Sequence, residues 1–238
     1  MKQWGFYFDQ SRCLACNACT IACKIWNEDH RGDAGLNPEL SWLQSGKYAE
    51  PAEYDNLQGS TGEQNYAELR KYHMKENWRR VTATEYGDLP PAVDVLNLSL
   101  SCNHCTNPPC ARVCPVRIIS KDPDTGIVLV DTPKCVTCGA CLRACPWKAP
   151  QFYLSKITGF EMSDPLRPKM TKCTLCIDRI KQGLKPACVA ACQNRALDAG
   201  PVDELKAKYK DWTDKVDNFE QDKDAGPNII FKKKKLKV

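Results

Sequence analysis

Sixteen cysteines in a chain of 238 residues constrain this sequence more than any other feature. They fall into four groups of four with none left over: Cys13, Cys16, Cys19 and Cys23; Cys102, Cys105, Cys110 and Cys114; Cys135, Cys138, Cys141 and Cys145; Cys173, Cys176, Cys188 and Cys192. Each group spans 11 to 20 residues. Cysteine makes up about 7% of the chain (16 of 238), so the 42% hydrophobic fraction falls to about 35% without it. The thiols must therefore do more than pack. Disulfide frameworks of this density belong to short secreted chains, and the stretch from Met1 to Phe6 has no apolar leader. Zinc suits C-x2-C pairs but normally takes two pairs separated by about a dozen residues or more, whereas three of these groups pack four cysteines into 11 to 13.

The spacing points to iron–sulfur chemistry. The first and third groups read C-x2-C-x2-C-x3-C, the run in which three thiolates hold one [4Fe–4S] cube and the fourth reaches a second cube. The second group is the same run with two residues inserted before its third cysteine. Groups two and three both end in Cys-Pro, at Pro115 and Pro146. The fourth carries a longer insert, Ile177 to Ala187, with Asp178, Arg179 and Lys181. Internal duplication is visible, since Phe8-Asp9-x-x-Arg12-Cys13 matches Val130-Asp131-x-x-Lys134-Cys135. Between groups two and three lie a turn, Asp122 to Gly126, and a β-branched apolar strand, Ile127 to Asp131. Group, turn, strand, group is a two-cluster ferredoxin unit. Small residues within the groups (Ala15, Ala18, Ala22; Gly139, Ala140, Ala144) let the backbone wrap a cube closely enough for its N–H groups to reach the sulfurs.

Charge is consistent with this. The formal net charge of +5 counts cysteine as neutral. Four thiolate-bound cubes at about −2 each add about −8, which brings the loaded chain near −3. Basic residues thus serve to balance buried clusters, and nucleic acid is not the implied partner. No apolar stretch approaches the roughly 18 residues of a membrane span. Three histidines are present, His30, His73 and His104, and His104 sits inside the second group, where a hydrogen-bonding role suits it better than acid–base work. No phosphate-cradling glycine motif occurs, and no cysteine is left over as a nucleophile.

Along the chain, Trp4 to Asp9 reads as a strand leading into the first group. Residues 24–96 lack cysteine; Asn65 to Trp78 is a predicted amphipathic helix, Trp78 to Tyr86 a strand, and Asp33 to Gly62 either a docking excursion or a solvated loop. Val93 to Leu100 reads as a strand delivering the chain to Cys102. Lys185-Pro186 starts a short helix, Pro201 opens a helix over Asp203 to Trp212, and Asn228 to Phe231 is a closing strand before a mobile lysine tail, Lys232 to Lys235. Cross-ligation requires each group to have a partner group. The ferredoxin linker pairs two with three and leaves one with four. The expected sets are then Cys13, Cys16, Cys19 with Cys192; Cys102, Cys105, Cys110 with Cys145; Cys135, Cys138, Cys141 with Cys114; and Cys173, Cys176, Cys188 with Cys23. A tandem pairing, one with two and three with four, also satisfies the spacing. The expected class is α+β, with two bacterial-ferredoxin-like 2[4Fe–4S] domains, one inserted within the other. Residues 1–96 with 165–200 form the outer domain, 97–164 the inner, and 201–238 a helix and basic tail.

Four groups in this order, with Ser11-Arg-Cys13, Ala22-Cys-Lys24, Ser101-Cys-Asn-His-Cys105, Met170-Thr-Lys-Cys173 and Arg195-Ala-Leu-Asp-x-Gly-Pro-x-Asp-Glu-Leu205, resemble the four-cluster electron-transfer subunits of the dimethyl sulfoxide reductase family of molybdopterin oxidoreductases. The likeness covers nearly the whole chain except about Asp33 to Asn77, which is longer than usual. The resemblance implies the nested pairing and four [4Fe–4S] clusters. In nitrate reductase-like relatives a tryptophan replaces the equivalent of Cys138 and the site holds a [3Fe–4S] cluster; here the cysteine is present. It further implies a non-catalytic subunit between a large catalytic partner, holding molybdenum or tungsten on bis-molybdopterin guanine dinucleotide, and a membrane-anchor partner that exchanges electrons with quinol. Co-export with the catalytic partner would put the chain at the periplasmic face of a membrane; a cytoplasmic location also fits the sequence. A free-standing polyferredoxin is the alternative from another class.

Overall fold

The computed structural model describes residues 2–29, 78–88, 92–152 and 169–236. The predicted helix from Asn65 and the excursion from Asp33 to Gly62 lie outside these residues, apart from Trp78. Among the described residues, strands and helices alternate with the cysteine groups: β1 (Trp4–Asp9), α1 (Ala18–Asp29), β2 (Arg80–Tyr86), β3 (Asp94–Leu100), α2 (Pro109–Arg112), β4 (Ile119–Lys121), β5 (Val128–Val130), α3 (Ala140–Ala144), β6 (Gln151–Phe152), β7 (Met170–Thr171), α4 (Ile177–Lys181), α5 (Ala187–Ala190), β8 (Leu197–Pro201), α6 (Val202–Lys208) and β9 (Ile229–Lys232).

β1 is the centre of a three-stranded sheet ordered β8-β1-β9. Its aromatic run is buried on both faces, as a central strand requires. β8 pairs with it antiparallel (Phe6 opposite Ala199), and β9 pairs parallel (Phe6 opposite Ile229). Gly5 permits the join: a Cβ there would stand 2.1 Å from the Asn228 carbonyl oxygen, which accepts the Phe6 N–H. Three two-stranded ladders complete the framework, β2 with β3, β4 with β5 and β6 with β7, all antiparallel. The strand after group two (β4) therefore pairs with the strand before group three (β5). The strand after group three (β6) pairs with the one before group four (β7), and the strand after group four (β8) pairs with the one before group one (β1).

The largest core mixes cysteines with aromatic and aliphatic side chains, among them Phe6, Phe8, Leu98, Ile127, Leu175 and Phe231. The segment after α6 covers one side of it: Trp147 stacks on Phe219 at 5.8 Å and donates its indole N–H to the Glu220 carbonyl. The turn before β5 closes as the sequence indicates, with the Asp122 carboxylate accepting the Thr125 N–H and hydroxyl and Gly126 at φ 66°. Two expectations are corrected. The helix opened by Pro201 stops at Lys208 rather than Trp212, because Tyr209 leaves helical backbone to stack on Tyr7, with ring centroids 3.5 Å apart. The lysine tail is anchored rather than mobile as far as Lys234: Lys232, Lys233 and Lys234 pair with Asp211, Asp217 and Asp94.

Candidate metal centres

The four cysteine groups share one local backbone device. The second residue after the first cysteine of each group is left-handed: Ala15, His104, Thr137 and Leu175 have φ of 54°, 44°, 59° and 55°. That bend turns the residue's own N–H back toward the sulfur, as in Thr137 N–H to Cys135 Sγ (3.3 Å) and Leu175 N–H to Cys173 Sγ (3.3 Å). A second bend follows the last cysteine of groups two, three and four. Arg117, Lys148 and Arg195 are again left-handed, and their N–H groups close on the carbonyls of Cys114, Cys145 and Cys192. The next N–H can then reach sulfur, at 3.4 Å from Ala149 to Cys145 and 3.2 Å from Ala196 to Cys192. In group one α1 runs on through Cys23 to Asp29 instead.

All sixteen cysteines are free thiols, so no disulfide framework exists. Nor, among the described residues, do three His, Cys, Asp or Glu side chains converge on a point that a single ion could occupy. The thiols instead surround spaces. One hollow is lined by Cys13, Cys16, Cys19 and Cys192 together with Phe8 and Leu197. A second is lined by Cys114, Cys135, Cys138 and Cys141 with Ile119 and Met170. In each, three sulfurs come from one group and the fourth from the end of another. Sulfur lining, apolar walls and inward N–H donors are the donor set of a cubane cluster and leave no room for an oxygen-loving ion.

The other eight cysteines are all buried. Burial pushes the Cys23 thiol far up, and Cys173 and Cys188 push it further. Cys105 is likewise raised by burial, then by Cys102, Cys145 and Cys110. Burial is also the first cause for Cys173 and Cys145, pushed up to about 11, and for Cys110 and Cys176, pushed up to about 12. These thiols resist ionising without a cation among them. Cysteines of different groups also lie within electrostatic reach of one another: Cys188 of Cys19, Cys173 of Cys102, and Cys110 of Cys141. Cys16 and Cys138, one in each hollow, are the two exposed cysteines, and the eight cysteines outside the hollows are all buried.

Two buried basic residues that sequence reasoning had not singled out lie among the cysteines. Lys172, 2% exposed, donates to the carbonyls of Val128 and Cys173, and its charge opposes the upward push on Cys110. Arg79, 1% exposed, reaches Ser99 and Ser101 from the start of β2. Only the position of Lys172 beside a cysteine could have signalled it. His104 is fully enclosed; its Nδ1 accepts the Val128 N–H at 3.1 Å, and burial, followed by the charge of Lys172, holds the ring well below its ordinary pKa. It is therefore a neutral hydrogen-bonding residue, as its place in the group suggested.

Residues 93–202 match the family model of the 4Fe-4S dicluster domain. The protein is similar to the B subunit of the anaerobic dimethyl sulfoxide reductase of Escherichia coli K12, with 35% identity over 97% of this sequence and 88% of that protein. The perchlorate reductase subunit beta of Dechloromonas aromatica is 31% identical over 87% of this sequence and 67% of its own length. The formate dehydrogenase iron-sulfur subunit of Wolinella succinogenes is 32% identical, over 84% and 82%. Cysteine spacing, sulfur-lined hollows and likeness over almost the full length agree: the chain belongs to the family of iron–sulfur electron-transfer subunits typified by the B subunit of dimethyl sulfoxide reductase.

Proposed function

We propose that this iron–sulfur electron-transfer subunit holds four [4Fe–4S] clusters and carries electrons along them to or from a large molybdenum- or tungsten-bis-molybdopterin partner, itself having no catalytic site. The ligand sets are Cys13, Cys16, Cys19, Cys192; Cys23, Cys173, Cys176, Cys188; Cys102, Cys105, Cys110, Cys145; and Cys114, Cys135, Cys138, Cys141. The single observation that carries this reading is the pair of sulfur-lined hollows, each walled by three cysteines of one group and the last cysteine of another, with the remaining eight cysteines all buried. In the proposed order the hollows are the two ends of a row and the two buried sets stand between them. A bound cube supplies a site that takes up and releases one electron at a time. The chain's part is to fix the order, exclude water from the middle and leave one edge of each end open.

The nested domain arrangement, with residues 1–96 and 165–200 enclosing 97–164, is supported by the β1–β8 ladder joining the flanks of groups one and four and by β4–β5 joining those of two and three. Exposed apolar side chains flank both open ends, Leu14 and Ile21 near Cys16 and Val116 and Val136 near Cys138, which suits partner contact at each. One partner is the catalytic subunit; the other is a quinol-linked membrane anchor that would hold the complex at the periplasmic face. Among the described residues no helix is long and apolar enough to cross a membrane, so anchoring falls to a partner. Anaerobic native purification with metal analysis tests all of this. About sixteen irons per chain, four per cube, with a large molybdenum- or tungsten-bearing partner is the expected result; a brown chain eluting alone would overturn the partner assignment.

A further inference from the structure

Among the described residues Arg79 is the largest fully buried side chain, and none of their ion pairs involves it. Its oxygen partners among the described residues are all neutral. One terminal nitrogen donates to the Ser99 hydroxyl at 3.1 Å and more weakly to the Ser99 carbonyl at 3.5 Å, and the other donates to the Ser101 hydroxyl at 2.9 Å. The guanidinium carbon stands 4.4 Å from the centre of the Phe6 ring, and the buried Nε has no hydrogen-bond partner. A guanidinium keeps its proton under all ordinary conditions, and burying it without a negative counterpart is unfavourable. The counterpart lies in the sulfurs around it. Ser99 Oγ, which accepts from Arg79, is also 3.5 Å from Cys19 Sγ. Burial disfavours the charged guanidinium, and the charges of Cys188, Cys19, Cys173 and Cys23 act in the opposite direction. Cys19 belongs to the first ligand set and the other three to the set beside it.

We infer that Arg79 is the shared counter-cation of these two clusters, a positioning residue whose fixed charge stabilises an electron added to either one. The inference rests on the ligand sets proposed above. Reduction adds one negative charge to a cluster, and no proton need accompany it, because a permanent cation already faces both sites. Each cluster is thereby easier to reduce than it would be beside a neutral side chain. A residue filling space alone would affect assembly and leave the reduction equilibria untouched.

Redox titration of the intact complex, followed by electron paramagnetic resonance and with iron counted in each sample, separates these roles. In Arg79→Gln, which keeps donors for Ser99 and Ser101 but no charge, the two clusters bound by Cys13–Cys19 with Cys192 and by Cys23 with Cys173–Cys188 become harder to reduce. The expected change is at least tenfold in equilibrium, or about 59 mV for one electron, while the other two clusters move less. Arg79→Lys, which keeps the charge, restores most of the change. Should Arg79→Gln lose iron from those two sites alone while Arg79→Lys loads fully, the charge requirement stands. Unchanged midpoints in a loaded Arg79→Gln complex, an equal shift of all four clusters, or the same iron loss in both variants would overturn the inference. A wild-type complex short of about sixteen irons would instead sink the ligand sets beneath it.

Discussion

Seven non-glycine residues in left-handed backbone sit at fixed offsets from cysteines: Ala15, His104, Thr137 and Leu175 two residues after the first of a group, and Arg117, Lys148 and Arg195 three after the last. Each costs about 1–2 kcal/mol relative to ordinary backbone. Nothing in alanine, threonine, leucine or arginine favours that region, so intrinsic preference does not place these residues there. The offset does, because the bends aim an N–H at a sulfur, as at Thr137 and Leu175, or at the carbonyl beside one, as at Arg117, Lys148 and Arg195. Proline at such a position is the sharpest test, since its φ is fixed near −65° and it has no N–H. Thr137→Pro removes the 3.3 Å contact to Cys135 and reverses a φ of 59°. The expected outcome is loss of the cluster at Cys114, Cys135, Cys138 and Cys141, about four irons per chain, with the other three retained. Full iron content in the variant would show that the bend is incidental.

At the scale of elements, the sheet holding the ends of the cysteine array is fastened by Asp198 on β8. Its carboxylate accepts from Lys208 at 2.6 Å and from the Tyr209 hydroxyl at 2.8 Å, and its side chain is 9% exposed. Burial opposes ionisation, but these hydrogen bonds outweigh it and hold the carboxyl below the usual range. In the unfolded chain the same group titrates near ~3.9. Its stabilisation is therefore present above about pH 4 and is lost as pH falls through the lower folded value. Asp198→Asn should cost about 1–3 kcal/mol at neutral pH, and the gap from wild type should close below about pH 4; a urea midpoint measured at pH 7 and again in acid checks both. A gap independent of pH would assign the loss to packing. This anchor also shows where the sequence was readable. β1, the turn before β5 and the strand entering Cys102 carry local signals, and all were found within a residue or two. The early end of α6 was not legible, because Tyr209 abandons the helix for Tyr7 and Asp198, partners about 202 and 11 positions away. The order of lysines with acids in the tail and the burial of Arg79 depend on the same kind of distant pairing. The four cysteine groups, by contrast, are legible from spacing alone, and the proposed ligand sets start from that spacing.

At the scale of the whole molecule, the proposed ligand sets follow one another in a line. Cys102, Cys105, Cys110 and Cys145 are all buried, with Cys173 within electrostatic reach of Cys102 and Cys141 within reach of Cys110. In the proposed arrangement an electron entering at the Cys138 end passes this set to reach the end at Cys16. Cys102→Ser weakens one ligand there and leaves the twelve cysteines of the other sets in place. Turnover of the complex should then fall by about tenfold or more, equivalent to at least ~1.4 kcal/mol on the limiting step, although both end clusters can still be reduced by small reagents. In samples frozen during turnover, reduced signal should accumulate on the side where electrons enter and be depleted on the other. Equal reduction of both ends, with turnover at the wild-type rate and the middle cluster spectroscopically lost or converted, would mean that the sets are branches and not a row. Stability should change less than turnover, because the polar and apolar contacts framing the site, from Leu98 and Leu100 to Trp147, remain. The separation of the two effects follows from the fold: β1 and its ladders carry the architecture, and the sulfurs threaded between them carry the current.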